Sequence, residues 1–182
     1  MELPRRHLLR LGGAALVTGL APSFAAPVFA STLGARTLSF ESLHTGEKFS
    51  GEYWANGKYL PDALAEINRV MRDRRNQKIG AMDPKVIDLL TLLRHKVERT
   101  DPFMIICGYR SPESNAKMAA ASSGVAKKSL HMTGQAIDVR LPGCALKSLH
   151  GAALDMQCGG VGYYPAANFI HVDTGRVRKW FG

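Results

Sequence analysis

The sequence predicts an α+β domain: a small, largely antiparallel sheet with flanking helices. Three observations predict it. Strand-like runs of alternating or continuous apolar residues recur along the chain. Amphipathic helical stretches lie between them, opened by proline or by aspartate–proline. The two kinds of element follow one another without the regular rhythm of strand–helix–strand units, which argues against an all-parallel sheet.

Residues 37–42 alternate apolar and polar side chains, as a half-buried strand does. His44-Thr45-Gly46-Glu47 supplies a turn. Residues 48–54 form a second strand interrupted by Gly51, and Asn56-Gly57 signals a tight turn. A helix begins at Pro61, with Leu64, Ile67, Val70 and Met71 on one face and arginines on the other. Asp83-Pro84 reads as the N-cap and first residue of a second helix. That helix turns Val86, Leu89, Leu90 and Leu93 inward and ends near Val97. Residues 103–107 read as a buried strand. Pro112 opens a third helix, which runs to about Ser122 before a polar, glycine-containing loop leads to Ser129. Residues 136–141 form a short strand carrying Asp138. A fourth helix, 145–156, lies between Cys144 and Cys158. Two strands follow, 160–164 and 169–174, joined by a loop with Pro165.

Residues 1–30 read as an export signal. Arg5-Arg6 is a twin-arginine pair, an apolar stretch follows at 11–20, and Val28-Phe29-Ala30 suits cleavage after Ala30. The apolar run is short and glycine-rich for a membrane span, so no stable insertion is expected after cleavage; an uncleaved anchor is the alternative. The expected location is the periplasm. Residues 31–182 then form one domain, with no composition shift or repeat dividing it. The formal net charge is +9, and the chain stays basic without the leader. A basic surface attracts polyanions. The chain lacks aromatic-spaced binding motifs and carries an export address, so nucleic acid is not the expected partner. Peptidoglycan, with its free carboxylates, fits better, and a monomer is expected. The three cysteines are an odd set. A bridge between Cys144 and Cys158 is permitted in an oxidising compartment but not fixed by spacing. Cys107 ends the apolar run 103–106 and reads as a small buried hydrophobe.

The residues that carry chemistry cluster late in the chain. His131 and Asp138 stand seven apart in Ser129-Leu-His-Met-Thr-Gly-Gln-Ala-Ile-Asp138, and His171 and Asp173 follow in Phe169-Ile-His-Val-Asp173. A carboxylate among apolar neighbours, as Asp138 is, needs a partner, and a metal ion is a good one. Two imidazoles and a carboxylate suit zinc, with a fourth position left for water. Phe169, His171 and Asp173 share one strand face; Ile170 and Val172 face the core. Arg110, in Gly108-Tyr109-Arg110-Ser111-Pro112, offers a guanidinium fork to a peptide carbonyl or carboxylate. Tyr109 and Lys128 join it as candidate substrate-side residues. His44, His95 and His150 read as structural.

These same runs resemble the D-Ala-D-Ala-type zinc metallopeptidases, a superfamily that includes the zinc domain of hedgehog proteins. Within it the chain is most similar to the MepK-like murein endopeptidases. Leu43-His-Thr-Gly-Glu47, Gly124-Val-Ala-Lys-Lys-Ser129 and Gly159-Gly-Val-Gly-Tyr-Tyr-Pro165 add to the likeness, which covers nearly all of 31–182. The resemblance implies a hedgehog-like fold and a periplasmic zinc hydrolase cutting peptide cross-links of peptidoglycan. It also implies His131, Asp138 and His171 as ligands and Arg110 on the substrate side. It implies a preference for links joining two meso-diaminopimelate residues.

One departure stands out. Relatives place a glutamate or histidine base two or three residues before the last ligand. Here Asn168 and Phe169 hold those positions, and neither accepts a proton. Asp173 is the nearest candidate base. A second register makes Asp173 the ligand and His171 the base. Two rival functions remain: a D,D-carboxypeptidase or D,D-endopeptidase acting on D-alanine-containing stems, and a non-catalytic, zinc-stabilised cell-wall-binding module.

Overall fold

A computed structural model describes residues 34–122 and 124–182. The export-signal reading of 1–30 lies outside the described residues. The order of elements is β1 (Arg36–Ser42), β2 (Lys48–Ala55), β3 (Lys58–Tyr59), α1 (Pro61–Val70), α2 (Pro84–Lys96), β4 (Phe103–Cys107) and α3 (Pro112–Ala121). A 3-10 turn (Leu130–Thr133), β5 (Ala136–Arg140), α4 (Leu146–Met156), β6 (Gly160–Tyr164), β7 (Phe169–Asp173) and β8 (Arg178–Phe181) complete it. All eight strands join one sheet, ordered β3-β2-β1-β4-β5-β7-β6-β8. Pairing is antiparallel except for β1 with β4 and β6 with β8. The fold is α+β, as expected, but the sheet is larger than the small one predicted. Among the described residues no helix is long and apolar enough to cross a membrane.

Local chemistry explains the elements. Asn56 and Gly57 both take positive φ (52° and 79°), the requirement of the tight turn that joins β2 to β3. Asp83 caps α2 by accepting from the Lys85 amide, and Pro84 follows it. Ser111 caps α3 by accepting from the Ser114 amide.

The core lies against one face of the sheet. Phe103, Ile105, Ile137, Val139, Ile170 and Val172 pack with Val86, Ile87, Leu90 and Leu93 of α2 and with Leu149 and Ala153 of α4. Each such side chain, taken fully from water, contributes about 1.5–3 kcal/mol. Strand alternation leaves Asp138 and His171 on the other face, directly opposite each other across β5 and β7.

Two strands escaped the sequence reading. β3 has two residues, too few for a pattern. β8 alternates between partly buried and exposed positions, but its residues, Arg-Lys-Trp-Phe, do not alternate in polarity. Cys107 is the other correction. In sequence it is in phase with Phe103 and Ile105, which point to the core. A bulge between Ile105 and Cys107 shifts the register, so Ile105 faces Val139 but Cys107 faces Asp138. The thiol therefore belongs to the polar face. All three cysteines are free.

The loop carrying Arg110 is tied down by a buried carboxylate. Asp73 accepts from the Ser111 amide (2.9 Å), the Ser111 hydroxyl (2.8 Å) and the Arg75 amide (3.0 Å). Burial would raise its carboxyl, but hydrogen bonds from Ser114, Arg75 and Ser111 outweigh that and lower it. Its folded value thus lies below the unfolded one, so its stabilisation is present above about pH 4 and is lost as pH falls through the folded value. Asp73→Ala should cost about 2–3 kcal/mol by urea denaturation at neutral pH. The difference from the parent should narrow in titrations taken below about pH 4.

Candidate metal centre and substrate cleft

Backbone pairing aligns one row of side chains across five strands, β4, β5, β7, β6 and β8. Cys107 faces Asp138, Asp138 faces His171, His171 faces Gly162, and Gly162 faces Trp180. His131 enters from the 3-10 turn, whose backbone holds Arg110 through a bond from the Arg110 amide to the His131 carbonyl (3.1 Å).

Three donor atoms converge in this row. His131 Nε2 lies 3.2 Å from His171 Nδ1 and 3.3 Å from Asp138 Oδ1. His171 Nδ1 lies 2.9 Å from the same carboxylate oxygen. Around a tetrahedral ion with bonds of 2.0–2.1 Å, ligand atoms stand about 3.3–3.4 Å apart. The far side of each ring fixes its tautomer. His131 Nδ1 donates to the Gly108 carbonyl (2.8 Å), and His171 Nε2 donates to Asp173 Oδ2 (3.0 Å). In neutral rings the other two nitrogens are then bare, and both point at a carboxylate oxygen. Three electron pairs meeting in a buried place fit a cation, and the donor set suits zinc. Burial disfavours the His131 imidazolium, but Asp138 and then Cys107 outweigh burial and raise its pKa well above the ordinary value. Burial would likewise raise Asp138, yet His131 and His171 hold it well below the usual carboxylate range.

Asp173 stands on the opposite side of the His171 ring from Asp138. It is fully buried. Its Oδ1 accepts from the Gly160 amide (3.0 Å), the Gly175 amide (2.9 Å) and Arg178 (3.0 Å). Its Oδ2 accepts from Arg178 (2.6 Å) and His171. Burial would raise this carboxyl; hydrogen bonds from His171, Arg178, Gly160 and Gly175 hold it well below the usual range. Both oxygens are thus engaged behind the imidazole, on the side of the ring away from Asp138, whereas a base needs a free oxygen facing the reacting water.

The three donors line a cleft of about 390 Å³, together with Arg110, Lys128, Tyr164, Phe169, Arg178 and Trp180. Arg110 is 9% exposed; it donates to Asn115 Oδ1 (3.2 Å), and its Nε has no partner. Asn115 in turn donates to the Ala126 and Lys127 carbonyls, fixing the loop that forms the cleft's rim. Tyr109 is a correction. It is absent from the cleft and lines a small recess with His44 and Met71, its ring lying against Gly80. Consecutive residues of an extended segment point to opposite sides, so Tyr109 and Arg110 part company.

Sequence reasoning missed the aromatic wall. Tyr164 and Phe169 stack at 4.5 Å, and Trp180 donates from its indole to the Tyr164 hydroxyl (2.8 Å). The indole also lies 5.0 Å from the His171 ring. Phe169 therefore serves as wall, and Asn168 takes the positive-φ turn position (53°). Gly162 is the gap over which the indole lies, since a Cβ there would meet Trp180 at 2.6 Å. The signal for Gly162 was present in Gly159-Gly-Val-Gly, but its meaning depends on β8.

The fold and the donor set define a metallopeptidase-class α+β domain. Residues 30–180 match the family described as Peptidoglycan L,D-endopeptidase MepK. The chain is 44% identical over 176 residues to the Peptidoglycan L,D-endopeptidase MepK of Escherichia coli, covering 97% of this chain and 96% of that one. It is 40% identical over 179 residues to the Probable peptidoglycan L,D-endopeptidase MepK of Haemophilus influenzae, covering 98% and 96%. The chain belongs to this family.

Gly162→Ala should push the indole off the sheet at a cost of about 1–3 kcal/mol. In a Trp54→Phe background, the remaining emission should shift to longer wavelength as Trp180 meets water. An unchanged spectrum and unchanged melting point would count against the packing described.

Proposed function

We propose that this chain is a periplasmic, zinc-dependent endopeptidase that hydrolyses peptide cross-links of peptidoglycan, with a preference for links between two meso-diaminopimelate residues. The coarser statement, a peptidoglycan endopeptidase of the metallopeptidase class, follows from membership of the family. The observation that carries the finer reading is the triangle of His131 Nε2, Asp138 Oδ1 and His171 Nδ1, with sides of 2.9–3.3 Å at the floor of a cleft. The cross-link preference rests on the name of the relatives and on a cleft bearing Arg110, Lys128 and Arg178, which suits a stem peptide rich in carboxylates.

His131, Asp138 and His171 would hold the metal. Zinc, when bound, supplies a Lewis acid and lowers the pKa of a water towards neutrality. The chain's own residues do the rest. Asp173 keeps the proton on His171 Nε2 and the electron pair on Nδ1. Arg178 holds Asp173 through two parallel bonds and so fixes that orientation. The free Nε–H of Arg110 donates to the peptide carbonyl and stabilises charge that develops on it. Tyr164, Phe169 and Trp180 wall the site and limit water around the reacting bond.

Purified protein should contain one zinc per chain, and His131→Ala should lose both the metal and the release of monomers from cross-linked dimers. Defined dimers joined through two diaminopimelates should be cut faster than dimers joined through D-alanine, and free pentapeptides should not be trimmed. Full turnover after exhaustive chelation would defeat the proposal. Asp173→Asn separates an orienting role from a proton-accepting one. As an orienting residue, its loss should weaken zinc affinity about 10–100-fold, measured by competition with a chromophoric chelator. A variant that binds zinc with parental affinity yet turns nothing over would restore Asp173 as the base.

A further inference from the structure

Cys107 stands beside the metal centre and takes no part in the chemistry above. Its Sγ and the donor atoms of His131 and Asp138 all lie within 4.8 Å of one another. The bulge at the end of β4 aims the sulfur at this point, since it brings Cys107 opposite Asp138. A terminal nitrogen of Arg110 approaches the sulfur at 3.6 Å, while the Nε of the same guanidinium is buried without an acceptor. A buried, half-satisfied guanidinium is a place prepared for negative charge. The thiol also contacts the Gly108 carbonyl at 3.8 Å and the His131 side chain.

We infer that Cys107 is a fourth protein donor, which enters the coordination sphere as a thiolate and makes this a site for thiophilic divalent ions. The inference rests on the metal-centre reading of His131, Asp138 and His171. The step balances simply. The S–H bond breaks, its proton passes to solvent, a sulfur–metal bond forms, and one water leaves the ion. No electron is transferred. Sulfur at 2.3 Å and nitrogen at 2.0–2.1 Å from one tetrahedral ion stand about 3.6 Å apart. The sulfur lies within 4.8 Å of the His131 and Asp138 donors, so relative to those two it needs to close by about 1.2 Å at most. A thiolate in this position competes with water and with a substrate carbonyl for the open face, so it gives the resting protein a closed site. Arg110 is placed to balance the thiolate's charge in that state.

Cobalt substitution tests the idea by a readout independent of turnover. The full-length protein loaded with Co²⁺ should show visible ligand-field bands and an intense near-ultraviolet sulfur-to-cobalt band. Cys107→Ser should keep the visible bands and lose the near-ultraviolet one, while Cys144→Ser with Cys158→Ser should keep both. Cadmium should be retained against a chelator at least about tenfold better by the parent than by Cys107→Ser. Circular dichroism of Cys107→Ser, with Cys107→Ala as a second variant, checks that the fold survives. Visible bands without the near-ultraviolet band in the parent would overturn the role of Cys107 and leave the three-ligand reading standing. A band that persists in Cys107→Ser would overturn it as well. The lack of any cobalt spectrum would overturn both.

Discussion

Two imidazoles and a carboxylate aim their electron pairs at one buried point, and the surrounding architecture exists to keep them there. Left alone, such a convergence repels itself in a medium where charges are poorly screened. Something positive must occupy it. A divalent ion would satisfy all three donors at once. The 2.9–3.3 Å edges of the triangle leave no slack for rotation of either ring. Each ring is therefore pinned from behind, His131 by the Gly108 carbonyl and His171 by Asp173.

The pinning spreads outward through the sheet. Asp173 is held by two backbone amides and by Arg178, which belongs to the last strand. That strand pairs in parallel with β6 and brings Trp180 over Gly162, so it completes both the support of His171 and the wall of the cleft. On the other flank, Asp73 fixes Ser111 and with it the loop that presents Arg110. Residues remote in sequence thus act on the same few atoms. A site built on strands and braced in this way is held more firmly than one hung on loops.

Hydrophobic period made most of the fold legible, because α1, α2, α4 and each central strand bury one face against a single core. Ile67, Val70, Leu90 and Leu93 are inside, as their spacing required. Ile170 and Val172 point inward and His171 and Asp173 outward for the same reason. The pattern failed where burial does not set the conformation. An edge strand such as β8 alternates in burial but not in the polarity of its residues, so there is no period to read in the sequence. A bulge changes phase without changing composition, which hid Cys107 among core residues. Alternation puts Asp173 on the same face as His171 but says nothing of its partners there. A single sequence does not reveal that five donors already claim its two oxygens.

Energetics link the site to the stability of the whole domain. Gathering His131, Asp138, His171 and Asp173 on one sheet face removes four ionisable groups from water, and each is nearly or wholly buried. Desolvation opposes that arrangement, and hydrogen bonds to Gly160, Gly175 and Arg178 offset it only on the Asp173 side. On the Asp138 side a bound cation would supply the offset. A ligand bound only by the folded chain adds RT ln(1 + [L]/Kd) to its stability, so the occupied site would draw on the same free energy that orients its donors. The core beneath tolerates the strain because it is continuous. Ile137 and Val139 flank Asp138, Ile170 and Val172 flank His171, and all four are almost fully excluded from solvent. Polar and apolar faces of the same two strands therefore carry opposite duties: one anchors the sheet to α2 and α4, and the other spends part of that anchorage on holding charge in place.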